Sequence, residues 1–457
     1  MGQQGVDFNR VAFTTLGCKV NQYESEALKS LFHQNGYQVV DFAEQADVYV
    51  INTCTVTHLG NRKSRQMIRR AVNSNPDAVV AVTGCYAQTA PGEVLAIPGV
   101  DLVIGTSDRR RIVELVEEAR KSQEPINAVR NIMEAGEFEE ISVLESEHRT
   151  RAFIKIQEGC NNYCSYCIIP FARGPLRSRK PERVIEEAER LCTAGFQEIV
   201  LTGICIGTYG RDLGQVISLA GLVRKLIEIP GLTRLRLGSV EPTDITPDLV
   251  EVVADSPQVC KHLHIPLQSG SDVTLQAMNR RYNTMEYAKL VGYLRYMIPD
   301  LAVTTDVIVG FPGEEEEHFL HTLEFVEEME FAALHVFKYS TRKGTASAEL
   351  PDNVPPELKE SRSRQLIKLG KDNAREFARN FIGQTMDVLV EQRVDDAALG
   401  DYPDAGAANS GESLYEGLTG NYLRVIFKAR EQDRGCLVKV ALEGFQQDAL
   451  RGCIIDQ

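Results

Sequence analysis

Short apolar runs alternate with amphipathic stretches along the first part of the chain. The β-prone runs are Val11 to Leu16, Val48 to Ile51, Val79 to Thr83 and Leu102 to Ile104. Between the first two, Glu24 to Asn35 has its apolar positions at helical spacing. This alternation predicts a small α/β domain with a parallel sheet. We place its end near the acidic stretch Glu134 to Glu147, which we expect to be a linker.

From Ala152 onwards the alternation restarts with longer spacing. Strand-like runs occur at Phe153 to Gln157, Glu198 to Thr202, Arg234 to Gly238, His262 to Pro266, Val303 to Val309 and Ala333 to Tyr339. Helical patterns lie between them, notably Pro181 to Ala194. Repeated β/α units of this kind resemble a partial (β/α)6, TIM-like barrel, in which the chemistry lies at the carboxyl ends of the strands.

After Arg375 to Phe381 the pattern changes to short strands separated by turn-rich polar residues. These strands are Met386 to Glu391, Leu423 to Phe427 and Leu437 to Glu443, and they predict a small all-β barrel. Asp395 to Gly417 is rich in Asp, Gly, Ala and Ser, so we expect a surface loop there. The fold class is therefore α/β with a small all-β barrel at the end, in three domains at 9–145, 146–378 and 379–457.

Composition narrows the class of protein. Among the 457 residues, 43% are hydrophobic, which is enough for several packed cores. No run approaches the roughly eighteen apolar residues of a membrane span, and the N-terminus lacks the order of a signal peptide. We therefore expect a cytoplasmic protein without a membrane partner. The net charge of -14 gives no overall attraction for nucleic acid, so any RNA contact must rest on local basic patches.

Cysteine is the most informative residue type in this chain. Eleven cysteines without an export signal favour metal or cluster ligation over disulfides. Cys160, Cys164 and Cys167 form a C-x3-C-x2-C triplet directly after a predicted strand. Three thiolates on one loop fit three irons of a 4Fe-4S cluster and leave the fourth iron open for a substrate. The alternative, a structural zinc site, normally has four ligands in C-x2-C pairs.

Three further cysteines each follow a predicted strand of the N-terminal sheet. They are Cys18 in Thr15-Leu-Gly-Cys-Lys-Val-Asn21, Cys54 in Ile51-Asn-Thr-Cys-Thr-Val-Thr57 and Cys85 in Thr83-Gly-Cys-Tyr-Ala-Gln88. Because parallel strands end at the same sheet edge, the three thiols can converge on a second cluster. For a single such cysteine, inert packing would be the simpler explanation.

With both triads in view, the sequence resembles the radical S-adenosylmethionine (SAM) methylthiotransferases. The resemblance covers nearly the whole chain. Further matching segments are Cys167-Ile-Ile-Pro-Phe-Ala-Arg-Gly-Pro-Leu-Arg-Ser-Arg179, His264-Ile-Pro-Leu-Gln-Ser-Gly270, Met278-Asn-Arg-Arg-Tyr282 and Thr305-Asp-Val-Ile-Val-Gly-Phe-Pro-Gly-Glu314. It implies a radical SAM barrel, a C-terminal TRAM domain, two 4Fe-4S clusters and SAM. The two cysteine triads would be the cluster ligands, and no other catalytic residue is assigned.

Polar residues and glycines near the predicted strand ends are candidates for the SAM pocket. Gly203 lets the backbone approach a ligand closely. Ser239 and Glu241 are candidate hydrogen-bond partners, with helix capping as the alternative. The resemblance adds Tyr166, Gln268, Ser269, Asp306 and Gly310. His262 and His264 share one strand face, where hydrogen bonding is favoured because the triplet already fills the metal role.

Two basic runs lie beside the cysteine loops. Asn61 to Arg70 follows the Cys54 loop, and Arg173 to Arg183 follows Cys167. Both could place RNA phosphates near the chemistry, although a solvated charged face is the common alternative. The candidate contacts are Arg62, Arg65, Arg173, Arg177 and Arg179. The TRAM-like segment lacks a basic excess because its loop is acidic.

The resemblance also implies a reaction and partners. The family adds a methylthio group to C2 of an adenosine at position 37, in the anticodon loop of tRNA, and needs a reducing donor such as a flavodoxin or ferredoxin. The amino-acid sequences of several motifs, including Lys155 to Cys160 and Val240 to Asp244, most resemble those of one branch of the family. That branch converts N6-threonylcarbamoyladenosine to its 2-methylthio derivative. The carboxylate of this substrate would suit Arg177 or Arg179. Alternatives are isopentenyl-adenosine tRNA, a ribosomal-protein aspartate and a non-catalytic, metal-stabilised RNA-binding protein.

Overall fold

Two compact units make up the part of the chain that the computed structural model describes, which is residues 9–141, 143, 150–214, 217–394 and 411–455. The first unit contains the described residues up to 143, together with Gln157–Arg179 and Ser340–Glu349. The second contains the described residues of 150–156, Lys180–Tyr339 and those from Leu350 onwards. Gln157–Arg179 thus packs in the first unit, although it lies inside the predicted domain 146–378. The three linear domain boundaries stay a prediction.

A six-stranded parallel sheet forms the centre of the first unit, in the order β2-β1-β3-β4-β5-β6. Its strands are β1 (Arg10–Thr15), β2 (Gln38–Val40), β3 (Val48–Thr53), β4 (Val79–Gly84), β5 (Leu102–Val103) and β6 (Ile126–Asn127). The helices that follow are α1 (Lys19–Gln34), α2 (His58–Ser74), α3 (Cys85–Thr89), α4 (Pro91–Leu95) and α5 (Ile112–Ala119). Every residue of β3 and β4 is buried, as expected for central strands of a parallel sheet covered on both faces. The predicted α/β domain is confirmed.

The chain next contributes β7 (Ala152–Lys155) to the second unit and then returns to the first. There the short strands β8 (Gln157–Glu158) and β9 (Arg177–Ser178) pair antiparallel, with α6 (Ile169–Arg173) between them. The sequence predicted one strand from Phe153 to Gln157. The structure divides it, because Ile156 continues the pairing with Thr202 while Gln157 turns to pair with Ser178.

The second unit contains the predicted partial barrel. Its further strands are β10 (Glu198–Thr202), β11 (Arg234–Leu237), β12 (His262–His264), β13 (Ala302–Val309) and β14 (Ala333–Lys338). Two parallel sheets, β11-β10-β7 and β12-β13-β14, are linked by single bridges from Leu235 to Val259 and from Ser239 to His264. The helices are α7 (Pro181–Thr193), α8 (Leu219–Ile227), α9 (Pro247–Asp255), α10 (Asp272–Ala277), α11 (Thr284–Met297), α12 (Glu316–Met329) and α13 (Pro356–Arg379). Ile154, Leu201 and Leu263 belong to its buried apolar core.

A closed barrel in the order β15-β16-β17-β19-β18 ends the described chain and confirms the predicted small all-β barrel. Its strands are β15 (Thr385–Arg393), β16 (Glu412–Thr419), β17 (Arg424–Arg430), β18 (Leu437–Gln446) and β19 (Ala449–Ile454). Most of the predicted loop Asp395 to Gly417 lies outside the described residues. The prediction of a loop was wrong for its last residues, 412–417. These residues belong to strand β16, which begins at Glu412 and buries Leu414 and Tyr415. No helix in the described residues has the length and apolar character needed to span a bilayer.

Candidate active site

Three cysteine-bearing turns follow β1, β3 and β4, which are neighbours in the sheet. Cys18 immediately precedes α1, Cys54 follows β3, and Cys85 is the first residue of α3. Gly17 has φ +103°, and a Cβ atom there would lie 2.9 Å from Cys54 Cβ and 3.0 Å from its Sγ. Only glycine therefore lets the Cys18 turn approach Cys54 this closely. The structure brings the three cysteines to the sheet edge where the sequence predicted them.

The thiols of this group influence one another electrostatically. Burial raises the pKa of Cys85 to about 11, while the Arg173 guanidinium opposes the rise and Cys18 and Cys54 add to it. Burial also raises the pKa of Cys54, and Cys18 again contributes. These effects agree with the close approach of the Cys18 turn to Cys54 at Gly17. Three close thiols on adjacent strand ends are a donor set that fits an iron-sulfur cluster.

The second cysteine group lies on the loop between β8 and α6, also in the first unit. Cys160, Cys164 and Cys167 are all half-buried. The Cys160 amide donates to Gly174 O at 3.1 Å, and the Cys167 amide donates to Cys164 O at 2.9 Å. The Asn162 amide donates to Cys160 Sγ at 3.4 Å, a contact that favours thiolate character. One tightly folded loop therefore carries all three thiols of the predicted triplet.

A distant segment, Ser340–Glu349, completes the surroundings of both cysteine loops within the first unit. The Ser347 amide donates to Ser165 O at 2.8 Å, inside the triplet loop. The His58 amide donates to Ser340 Oγ at 3.2 Å, just beyond the Cys54 turn. Sequence reasoning missed this segment. Its polar residues carry no periodicity that would connect them with cysteines more than 170 positions earlier.

A buried charge cluster of Glu24, Arg109, Glu139, Glu158 and Arg173 lies between the two cysteine groups of the first unit. Arg109 pairs with Glu24 at 2.7 Å and with Glu139 at 3.1 Å. Arg173 pairs with Glu24 and, at 2.7 Å, with Glu158. Buried guanidinium groups need such carboxylate partners, since an unpaired buried charge is very unfavourable. Arg173 Nε also donates to Cys85 Sγ at 3.4 Å.

The prediction that Arg173, Arg177 and Arg179, in the basic run after Cys167, contact RNA was wrong, because all three side chains are buried. Arg173 is 0% exposed, and Arg177 and Arg179 are each 3% exposed. Arg177 donates to Arg173 O at 3.0 Å and Pro175 O at 3.1 Å, while Arg179 donates to Glu140 at 2.9 Å. These arginines are used inside the first unit and do not present a surface to RNA phosphates. Partners such as Glu24, 149 positions away in sequence from Arg173, could not be read from a charge run.

The first basic run retains an exposed face on α2. Arg62 is exposed, and among the described residues none forms an ion pair with it. Arg65 is half-buried and donates to the Tyr86 hydroxyl at 3.2 Å. Of these two candidates, only Arg62 is exposed to solvent.

Most candidates for the SAM pocket lie in the second unit, near the carboxyl ends of its parallel strands; Tyr166 lies on the triplet loop of the first. Gly203 follows β10 directly, and Ser239 bridges to His264. Glu241 pairs with the buried Arg280, and burial raises the Glu241 pKa while the arginine lowers it. Its side chain makes no capping hydrogen bond, so the capping alternative is not observed for Glu241.

The ends of β12 and β13 contribute the remaining pocket candidates. Gln268 has φ +69°, and its amide donates to Asp306 O at 2.8 Å. The buried Ser269 hydroxyl lies 3.2 Å from Thr322 Oγ1. Gly310 has φ +71°, and its amide donates to Glu314 Oε1 at 2.9 Å. The left-handed backbone at Gln268 and Gly310 turns the chain sharply where the strands end.

Asp306 joins two histidines in the second unit. His264 Nε2 lies 3.2 Å from Asp306 Oδ2, and His335 Nδ1 lies 3.1 Å from Oδ1. Burial alone would raise the pKa of Asp306, but the bonds to both histidines hold it well below its usual range. His262 and His264 both bond Thr304 Oγ1, at 3.0 and 2.9 Å, as the hydrogen-bonding interpretation expected. His335 was missed because it carries no motif of its own.

Comparisons with known proteins agree with this architecture. Residues 10–105 match a family described as Uncharacterized protein family UPF0004, and residues 154–326 match the Radical SAM superfamily. A solved structure, the radical S-adenosylmethionine methyltransferase TsrM from Kitasatospora setae, superposes with a TM-score of 0.58 at 15% identity, covering 75% of this chain and 77% of that one. That likeness shows the fold alone. The fold, the triplet loop and the superfamily match together define a radical SAM enzyme.

Relatives in sequence narrow the class. The chain is 47% identical over 433 residues to the threonylcarbamoyladenosine tRNA methylthiotransferase MtaB of Bacillus subtilis, covering 94% of this chain and 93% of that protein. It is 35% identical over 454 residues to the tRNA-2-methylthio-N(6)-dimethylallyladenosine synthase of Acetivibrio thermocellus, covering 96% and 90%. The chain belongs to the radical SAM methylthiotransferase family. It is a transferase whose cofactors are SAM and 4Fe-4S clusters.

Proposed function

We propose that this enzyme adds a methylthio group to C2 of N6-threonylcarbamoyladenosine at position 37 of tRNA. The observation that carries the proposal is the placement of two cysteine triads in one compact unit, on three adjacent strand ends and on one tight loop. Relatives named for this substrate, in Bacillus subtilis and, at 39% identity over 381 residues, in Aquifex aeolicus, support the choice of nucleoside.

The two triads have different assigned roles. Cys160, Cys164 and Cys167 would hold the cluster that, with SAM, supplies one-electron reductive cleavage, and Cys18, Cys54 and Cys85 would hold the auxiliary cluster, which supplies sulfur. The chain itself orients these groups. The Asn162 amide donates to Cys160 Sγ, and the absence of a Cβ at Gly17 lets the Cys18 and Cys54 turns approach each other.

Within the second unit, the pocket for SAM is assigned to the strand ends. Asp306 is bonded to two histidines and Glu241 is paired with Arg280, so each carboxyl group is held in one orientation as an acceptor for hydroxyl or amino groups. Gly203 and Gly310 keep side-chain bulk away from a bound ligand, and Gln268, Ser239 and Ser269 provide polar contacts. Fixed polar groups of this kind orient a cofactor without reorganising when it binds.

Two observations support tRNA as the substrate. One is the exposed arginine Arg62 on helix α2, and the other is membership of the methylthiotransferase family. Arg62 would contact a phosphate of the anticodon stem and loop, with Arg65 beside it on the same helix. We assign the enzyme to the cytoplasm, where tRNA and a reducing donor such as a flavodoxin or ferredoxin are present. The closed C-terminal barrel has the architecture expected of a TRAM domain.

The test is anaerobic reconstitution with iron and sulfide, followed by SAM, dithionite and tRNA bearing N6-threonylcarbamoyladenosine. Digested nucleosides are then weighed by mass spectrometry. A gain of one methylthio group on that nucleoside is the expected result, and Cys→Ala changes at any of the six cysteines should abolish it. Cys192→Ala, in helix α7 outside both triads, is the matched control and should retain product.

Other outcomes redirect the proposal. SAM cleavage without the modified nucleoside, followed by product on isopentenyl-adenosine tRNA or on ribosomal protein, would overturn the nucleoside assignment and leave the family intact. Full activity in any single cysteine variant would overturn the ligand assignment. No SAM cleavage in protein with verified clusters would favour a non-catalytic RNA-binding protein.

A further inference from the structure

Arg173 uses all five of its N–H groups inside the first unit. Nε donates to Cys85 Sγ at 3.4 Å. Nη2 donates to Asn21 Oδ1 at 2.5 Å and to Glu24 Oε2 at 3.0 Å, and Nη1 donates to Glu24 Oε1 and, at 2.7 Å, to Glu158 Oε1. Because the guanidinium is planar and every donor is used, its orientation toward the Cys85 sulfur is fixed.

The same guanidinium is connected to the other two cysteine turns through Asn21. Asn21 Nδ2 donates to Leu16 O at 2.7 Å and to Thr53 O at 3.0 Å. Leu16 lies two residues before Cys18, and Thr53 immediately precedes Cys54. Arg173 Nη2 donates to the Asn21 side chain, so one buried cation is linked to all three turns.

Arg173 also belongs to the loop of the other cluster. It is the last residue of α6, six positions after Cys167, and its partner Glu158 lies two positions before Cys160. A change in the triplet loop would therefore reach Cys85 through a single side chain. The plainer interpretation is that Arg173 is only the cation of a buried ion-pair cluster. That interpretation gives the Nε–H···S contact no role.

A hydrogen bond to a ligand sulfur has a known direction of effect. The bond and the nearby positive charge stabilise the cluster state with more negative charge, which is the reduced state. Glu24 and Glu158 offset part of the charge, but Nε is the donor directed at the sulfur. Removal of this donor should therefore make the cluster harder to reduce.

We propose that Arg173 is a positioning residue of the auxiliary cluster, which fixes Cys85 as a ligand and raises the reduction potential of that cluster through its Nε–H···Sγ bond. The inference rests on the proposed function in one respect, that Cys18, Cys54 and Cys85 hold one cluster. Beyond that assignment, Arg173 would raise the reduction potential of the second cluster and connect the triplet loop with Cys85.

The test isolates the auxiliary cluster in the full-length chain. Cys160, Cys164 and Cys167 are all changed to Ala, the protein is reconstituted with iron and sulfide, and the midpoint potential is followed by electron paramagnetic resonance during a redox titration. Arg173→Lys keeps the charge but loses the Nε donor. Arg177→Lys is the matched control, because Arg177 is equally buried and, in the described residues, makes no bond to a cysteine sulfur.

We expect Arg173→Lys to shift the potential to a more negative value while Arg177→Lys leaves it in place. Glu24→Gln, which removes a negative charge beside Arg173 and leaves the Nε donor, should shift the potential in the opposite direction. An unchanged potential in Arg173→Lys with full iron content would overturn the proposal.

Loss of the cluster also has a defined meaning. If Arg173→Lys fails to hold iron while Arg177→Lys holds it, the positioning part is supported; equal loss in both variants, with equal loss of thermal stability, would reduce Arg173 to a structural ion pair. Failure of the parent triple-Ala chain to bind any cluster would instead count against the proposed ligand assignment, so the two failures are distinguishable.

Discussion

Arg236 and Glu198, on the adjacent strands β11 and β10, form a buried ion pair in which Arg236 Nε donates to Glu198 Oε1 at 2.8 Å. The same guanidinium donates to Thr419 O and Gly420 O, both at 3.0 Å, at the end of strand β16. It also lies 5.0 Å from the centre of the Tyr422 ring. One arginine thus connects the parallel barrel with the C-terminal barrel inside the second unit.

Glu198→Gln should destabilise the second unit strongly. Glu198 is 0% exposed and also pairs with Arg234, so the change leaves two buried cations without their carboxylate. We expect a loss of about 3–5 kcal/mol in the free energy of unfolding, measured in the cluster-free protein by urea titration and circular dichroism. Glu186→Gln is the control, because its pair with Arg183 is exposed on both sides and should contribute little. Equal effects of the two changes would contradict the assigned role of the buried pair.

The effect of Glu198 should depend on pH in a defined direction. Burial would raise its pKa, but Arg236, Arg234 and Arg151 outweigh burial and lower it. Its contribution is therefore complete above the pKa of the unfolded carboxyl, about 4.3, and is lost as the pH falls through the lower folded value. The gap in urea midpoint between the parent and Glu198→Gln should stay constant from pH 6 to 8 and narrow below about pH 4. A gap that stays constant into acid would show that this carboxylate is not the titrating group.

Gly17→Ala should remove the auxiliary cluster selectively. The new Cβ would lie 2.9 Å from Cys54 Cβ at a φ of +103°, so the Cys18 turn must move away from Cys54. Iron per chain should fall from about eight to about four atoms after reconstitution. Gly36→Ala has a similar left-handed φ of +81° but meets no atom within 4 Å. It should cost about 1–2 kcal/mol of strain and keep both clusters; full iron in Gly17→Ala would contradict the proposed convergence.

Arg62→Ala should weaken tRNA binding by removing one phosphate contact. The slope of log K against log salt should fall by about one, measured by fluorescence anisotropy over a salt series. Arg183→Ala removes another exposed arginine, which is paired with Glu186 in the second unit, and it should leave the slope unchanged. The same slope in Arg62→Ala and the parent would exclude Arg62 as a phosphate contact.

The local pattern of apolar and polar residues was sufficient to predict strands that are apolar and joined by regular connections. The strand Glu198–Thr202 has the predicted bounds, and the three cysteine turns follow neighbouring strands because parallel strands share an edge. Strand β16 was hidden by its polar composition, since Leu414 and Tyr415 are buried among residues that read as loop. The pairing of Arg173 with Glu24 was inaccessible for a different reason. It depends on tertiary placement, and a charge run gives the same signal whether it faces solvent or carboxylates.

The chain order of the first unit determines when its cysteines can be enclosed. That unit needs three separate stretches, and the last of them, Ser340–Glu349, contacts both the Cys54 turn and the triplet loop. During synthesis, the ribosome must therefore add about three quarters of the polypeptide after the first cysteine before the surroundings of either loop are complete. A nascent chain interrupted before residue 340 therefore lacks contacts to both the Cys54 turn and the triplet loop.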